Sequence, residues 1–120
     1  MTRFLLIDNN AARRELMASE LREHGFDVEE HDNLNIESIS GAEAIAALDE
    51  LVADRVRSVS DIAPLILLAE QPDVKASVTA LQSGAKDYLP LPATTSDLMA
   101  AVERATAYSV RKPVRARETV

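Results

Sequence analysis

The chain has no cysteine, and that absence removes thiolate zinc sites, redox motifs and disulfide frameworks together. Nor does it have a long hydrophobic run. The longest, APLILLA, is far short of the about 20 apolar residues that span a bilayer. The N-terminus lacks a signal-peptide pattern, so a cytoplasmic location without membrane contact is expected. Internal repeats, low-complexity tracts and Gly-rich phosphate loops are all absent. What is there is a chain of 120 residues, 47% apolar and 28% charged, enough for one domain with its own core. Its net charge of −7 is uneven: residues 111–120, RKPVRARETV, carry four bases and one acid. The remaining body, 1–110, is strongly acidic, which repels nucleic acid. The basic end is expected to be a linker or tail rather than a nucleic-acid site.

Apolar periodicity alternates between strand and helix. RFLLI at 3–7 reads as a buried strand. Asn10 can cap a helix carrying Ala12, Leu16, Met17 and Leu21, stopped by Gly25. FDVEEH alternates as a strand with one wet face does, and PLILLA is a second fully apolar strand. Asp73 can cap a helix with Val74, Val78 and Leu81 on one face, closed by Gly84. DYLPL is a short strand, and TTSD at 94–97 is a capping box before a helix with Leu98, Val102 and Ala105 inward. This alternation predicts an α/β fold with a doubly wound parallel sheet and right-handed crossovers.

The middle is crowded. Ser40 and Glu43 form a second capping box, and Ile45, Leu48, Val52, Val56 and Val59 keep helical spacing, which predicts one long helix. Beside it there is room between His31 and Pro64 only for the short piece LNIESIS. A parallel crossover takes about a dozen residues or more, so the third strand is expected to be missing or a stub.

RFLLIDNN and LQSGAKDYLPLP together resemble the receiver domain of bacterial two-component response regulators, over residues 1–31 and 64–108. The resemblance implies a flavodoxin-like sheet of order 2-1-3-4-5 with a shortened or missing third βα unit. It also implies a site of five groups: two acids after strand one holding Mg²⁺, an aspartate nucleophile after strand three, a hydroxyl after strand four and a lysine after strand five. A carboxylate attacks a phosphoryl group only where such cations neutralise the accumulating charge. Of these groups the chain keeps Asp8. Asn9 replaces the second acid, Ala69 the hydroxyl and Leu91 the lysine, with Pro92 retained after it. Asp61 stands three residues before Pro64, a faint match to the nucleophile's spacing, while Asp49 and Asp54 fall on the predicted long helix as solvated groups. Tyr88 matches the family's aromatic switch position, though a strand tyrosine is first a packing residue. Asp8 can instead cap the next helix. His24, His31 and the acidic run Glu29, Glu30 and Asp32 are expected on the solvated surface, without metal.

These positions imply a pseudo-receiver with no catalysis of its own and no cofactor. Leu-Pro in place of Lys-Pro resembles flagellar transcription activators of the sigma-54 enhancer-binding class, the FleQ and FlbD type. Such a module would join a downstream effector domain, for instance an AAA+ ATPase. The alternatives are a phosphoacceptor with a displaced aspartate, or the atypical receiver of a pilus-localisation ATPase. A nucleotide sensor at the strand ends finds no supporting arginine cluster in the sequence. The expected homodimer face runs through the fourth helix, fifth strand and fifth helix, with Lys75, Lys86, Asp87, Asp97, Glu103 and Arg104 as charges. Met99 and Tyr108 are its apolar contacts.

Overall fold

The computed structural model describes the backbone of residues 3–118 and the side chains of residues 3–106. Its elements are β1 (Arg3–Ile7), α1 (Ala11–Glu23), β2 (Asp27–His31), a 3₁₀ turn (Ile36–Ser38), β3 (Ala44–Leu48), α2 (Asp49–Val52), a second 3₁₀ turn (Ala53–Arg55), α3 (Val56–Ser60), β4 (Leu65–Ala69), α4 (Val74–Gln82), β5 (Asp87–Pro90) and α5 (Thr95–Glu118). All strand pairs are parallel and the order is β2-β1-β3-β4-β5, the expected doubly wound sheet. Successive strand residues face opposite sides, so the core has two halves. Phe4, Leu6, Ala46, Leu48, Ile66 and Leu68 pack under α1 and α5. Leu5, Ile7, Ile45, Ala47, Leu65 and Leu67 form the other half, with Val52, Val59 and Ala80.

The crowded middle resolves differently from the prediction. Residues 45–59 do not form one long helix: Ala44–Leu48 is a strand, every position of it buried, as long as β1 and β4. The shortage between His31 and Pro64 is taken from helices instead. The β2–β3 crossover holds one 3₁₀ turn, and the β3–β4 crossover breaks into α2 of four residues and α3 of five. The third βα unit is thus shortened in its helical half, and its strand is complete. Ser40 and Glu43 make no capping box; Glu43 Oε1 accepts from the Arg3 amide at 3.2 Å, tying the approach to β3 onto β1. Ala-rich AIAAL has a helix former's composition, and only a place between β1 and β4 makes it a strand.

The expected caps at Asn10, Asp73 and Thr94–Asp97 all form. By contrast, the stripe Val74, Val78 and Leu81 on α4 faces solvent, at 80%, 47% and 48% exposure, and α4 buries only Ala80. The acidic run at the edge strand is largely paired rather than solvated. Glu30 bridges Arg14 and Arg22 at 3.1 and 3.0 Å, while Glu29 holds Arg3 and His31; Asp32 is exposed. The helix α5 continues through Glu118, and the Tyr108 side chain lies outside the described residues.

The break in the β3–β4 crossover is strained. Ala53 sits at φ 53°, ψ −120°, a region open mainly to glycine. Ala53→Gly is therefore expected to raise stability by about 1 kcal/mol, read as a higher urea midpoint at unchanged slope.

Candidate functional site

The carboxyl edge of the sheet gathers the sequence-predicted positions. Continuing the strand register two residues beyond Ile7↔Ala47 and one beyond Leu48↔Leu68 brings Asn9, Asp49, Ala69 and Pro90 level. Asp49 directly follows β3, which is the nucleophile's place in the family pattern. It was expected on a solvated helix; the structure puts it, half-buried, at the strand end. Asp61 is the C-cap of α3, ahead of β4, and so at the opposite edge. The hydroxyl position after β4 is Ala69, buried.

Asp8 is the one buried charged or polar residue among those described, with 0% exposure. An unpaired carboxylate there would be untenable. Its counter-charge is Arg13. The Nε of Arg13 donates to Asp8 Oδ2 at 2.6 Å and its Nη2 to Oδ1 at 2.6 Å, a two-pronged pair. The Nη1 of the same guanidinium donates to Glu70 Oε2 at 2.8 Å. Asp8 Oδ1 also accepts from the Asn10 amide at 3.0 Å, so Asp8 does brace the turn into α1, although Asn10 is the N-cap. Hydrogen bonding to Asp8 pushes the Arg13 pKa still higher, with burial opposing and Glu70 adding to the rise.

Local folding puts Arg13 there. Asn10 starts α1 and its Oδ1 caps the Arg13 amide at 3.0 Å. A side chain in the first turn leans back toward the helix start, which carries the guanidinium over Asp8. Arg14 follows, donating to the Asp8 carbonyl at 3.0 Å and to Glu30. Two arginines in the first turn oppose the helix dipole, and this was the overlooked signal: cations at the wrong end of a helix, five and six residues after an Asp. Arg13 and Arg14 are an arginine pair at the strand ends after all, but their guanidiniums are engaged by the chain's own acids.

Beyond β5, the Leu91 amide donates to the Ala69 carbonyl at 2.8 Å and the Leu91–Pro92 bond is cis. Leu91 packs against the α1/α5 half of the core. With Arg13, Glu70 and Pro92 it lines a shallow depression of about 270 Å³. The Tyr88 hydroxyl accepts from the Asp73 amide at 3.3 Å, linking β5 to the start of α4. His31 ends β2 half-buried, with Nε2 2.7 Å from Glu29 Oε2. His24 is exposed at the end of α1. Among the described residues no three His, Cys, Asp or Glu side chains are grouped to hold a metal ion. Both oxygens of Asp8 are already engaged and its neighbour is the neutral Asn9, so these residues do not fit a divalent cation.

Of the expected dimer-face residues, Arg104 and Asp87 pair with each other within the chain. Lys75, Lys86, Asp97 and Glu103 are exposed, and Met99 is half-buried against the α1/α5 core.

The fold agrees with that of solved proteins. A receiver domain from Clostridium thermocellum superposes with a TM-score of 0.80 at 20% identity, over 92% of this chain and 98% of that one. The fold is that of a response-regulator receiver domain. NtrX from Brucella abortus, solved in complex with ADP, gives a TM-score of 0.82 at 17% identity, over 98% of this chain and 29% of that one. In sequence, the response regulator MprA of Mycobacterium avium (strain 104) is 31% identical over 109 residues, 82% of this chain and 48% of that protein. The chain thus spans about half the length of the curated relatives it matches. No protein-family model matches it. Among the described residues no helix is long and apolar enough to cross a membrane.

Removing Arg13 leaves Asp8 buried and uncompensated. Arg13→Met is expected to destabilise the receiver fold by about 3 kcal/mol at neutral pH. Adding Asp8→Asn, which removes the orphaned charge, is expected to recover most of that loss. Urea unfolding of the two single variants and the double variant measures it, and additive losses would contradict the pairing.

Proposed function

We propose that this receiver domain signals without phosphorylation, as a regulatory and dimerisation module of a larger protein. The observation that carries the reading is the Arg13–Asp8 pair. A guanidinium fixed by the chain itself occupies the carboxylate that a phosphorylating receiver uses to hold Mg²⁺. Asp49 keeps a carboxylate at the nucleophile's place, but the groups that would disperse phosphoryl charge are absent. Ala69 offers no hydroxyl, Leu91 no ammonium and Asn9 no second acid. Attack by Asp49 would leave that charge uncompensated.

What is left to signal with is surface. The exposed stripe of Val74, Val78 and Leu81 on α4 gives the proposed dimer face the apolar centre that Met99, packed inward, does not supply. Such stripes mark association sites. Around it, Lys75, Lys86, Asp97 and Glu103 mix both signs, as suits a two-fold contact; Asp87 and Arg104, joined within the chain, help shape β5 and α5 instead. The β4–α4 connection is held by Arg13–Glu70 at its start and by Tyr88–Asp73 at its end.

The Leu91–Pro92 pattern supports an effector of the sigma-54 flagellar-activator kind, with an AAA+ ATPase downstream, in the cytoplasm. The partial coverage of the curated relatives is consistent with a receiver joined to further sequence.

One experiment tests both parts. The chain is incubated with acetyl phosphate and Mg²⁺, then examined by intact mass and by sedimentation velocity. Expected are no gain of a phosphoryl group and a dimer at about micromolar protein, unaltered by the phosphodonor and converted to monomer by Val78→Glu. A stoichiometric adduct on Asp49 would overturn the non-phosphorylated reading. A wild-type monomer at about 100 micromolar would overturn the dimer.

A further inference from the structure

The broken β3–β4 crossover leaves a cleft of about 650 Å³ beside α4, within the range of about 300–1,000 Å³ typical of small-molecule sites. Its origin is local. Between α2 and α3 the chain turns at Ala53, and α4 presents Ala76 and Ala80 toward the gap, so no large side chain fills it. Leu67 of β4 and Tyr88 of β5 line its floor. Asp73 and Ser83 both line it, so it follows α4 for about 15 Å at about 1.5 Å per residue.

Charges of both signs stand around this floor. Arg3, Arg13, Arg14, Arg22 and Arg104 each pair with a carboxylate. The side chains of Arg57 and Lys75, on opposite walls of the cleft, form no ion pair or hydrogen bond among the described residues, and neither do those of Asp49 and Asp54, which also line it. Asp73 is engaged in capping α4. Two acids and two bases therefore border an apolar and aromatic floor without pairing one another. Thr79 and Ser83 add hydroxyl groups along the α4 wall.

We propose that this cleft binds a small zwitterion with an apolar or aromatic body, a molecule of the amino-acid kind. Its ammonium group meets Asp49 or Asp54, its carboxylate meets Arg57 or Lys75, and its body covers Leu67 and Tyr88. A purely anionic ligand leaves the acids opposed to it, and a purely cationic one leaves the bases so; the zwitterion alone satisfies both. Occupancy would act on Tyr88, whose hydroxyl holds the start of α4, and thus on the α4 face. The site does not depend on the Arg13–Asp8 pair, so its failure would leave the non-phosphorylated reading standing.

The test is amide-resolved NMR titration of the full chain with L-tryptophan, tryptamine and indole-3-propionate. L-Tryptophan is expected to shift the amides of Arg57, Thr79 and Tyr88 with a dissociation constant of about a millimolar or below. Tryptamine and indole-3-propionate, each lacking one charge, are expected to bind at least about tenfold more weakly. Ala76→Trp, at an exposed position that fills the cleft, is expected to abolish the shifts while the rest of the spectrum stays dispersed. Arg57→Ala combined with Lys75→Ala is expected to weaken L-tryptophan by about tenfold or more, and does not rely on the bulky variant folding. No shift at about 10 millimolar, shifts confined to residues away from the cleft, or equal binding of either analogue would overturn the proposal.

Discussion

A carboxylate with no solvent access must have a counter-charge, and at Asp8 that requirement organises the functional edge of the sheet. Arg13 meets it with a planar fork that matches both carboxylate oxygens. The third donor of the same group reaches Glu70, so one side chain ties together the end of β1, the start of α1 and the exit from β4. The helix dipole disfavours a cation in that turn. Arg13 is held there by Asp8 and Glu70.

A tethered cation competes for a carboxylate on different terms from a dissolved one. Through a short covalent path its effective concentration is at least about millimolar, and it arrives with its donors already aimed. Mg²⁺ gives up its water shell reluctantly and prefers several oxygen ligands in octahedral array, whereas the edge offers Asn9 in place of the second acid. On the proposed reading, an input that works by recruiting Mg²⁺ has little differential affinity to exploit, and without differential affinity no ligand shifts an equilibrium. The proposed output, an already formed apolar stripe on α4, is compatible with that constraint.

The outer parts of the fold were legible because their signals are local. Asn10, Asp73 and Thr94–Asp97 are caps in sequence and in structure, and RFLLI and LILLA are apolar enough to be strands wherever they sit. β3 was not legible. Ala44, Ala46 and Ala47 have no strand preference of their own, and Ile45, Leu48, Val52, Val56 and Val59 fall by coincidence at helical intervals, although Ile45 and Leu48 lie on opposite faces of a strand. Losing β3 also hid Asp49, because a residue's place at a strand end cannot be read when the strand is not. In the same way, Val74, Val78 and Leu81 form a true helical stripe, but periodicity does not say whether a stripe faces the core or a partner. Asn9, Ala69 and Leu91 could be placed at the sheet edge by position in the sequence. The contact of Arg13 with Asp8 could not, since Asp8 and Glu70 meet one guanidinium only after β1 and β4 are brought to the same edge.

The most direct measurement is of the Arg13 Nε–H proton by NMR as Mg²⁺ is added. With its donor 2.6 Å from Asp8 Oδ2, that proton is expected to exchange slowly with water, to give a resolved signal at neutral pH, and to vanish in Asp8→Asn. The signal is expected to stay unmoved up to tens of millimolar Mg²⁺. Loss of the wild-type signal at about a millimolar Mg²⁺, with the metal bound to Asp8 in place of the guanidinium, would contradict it.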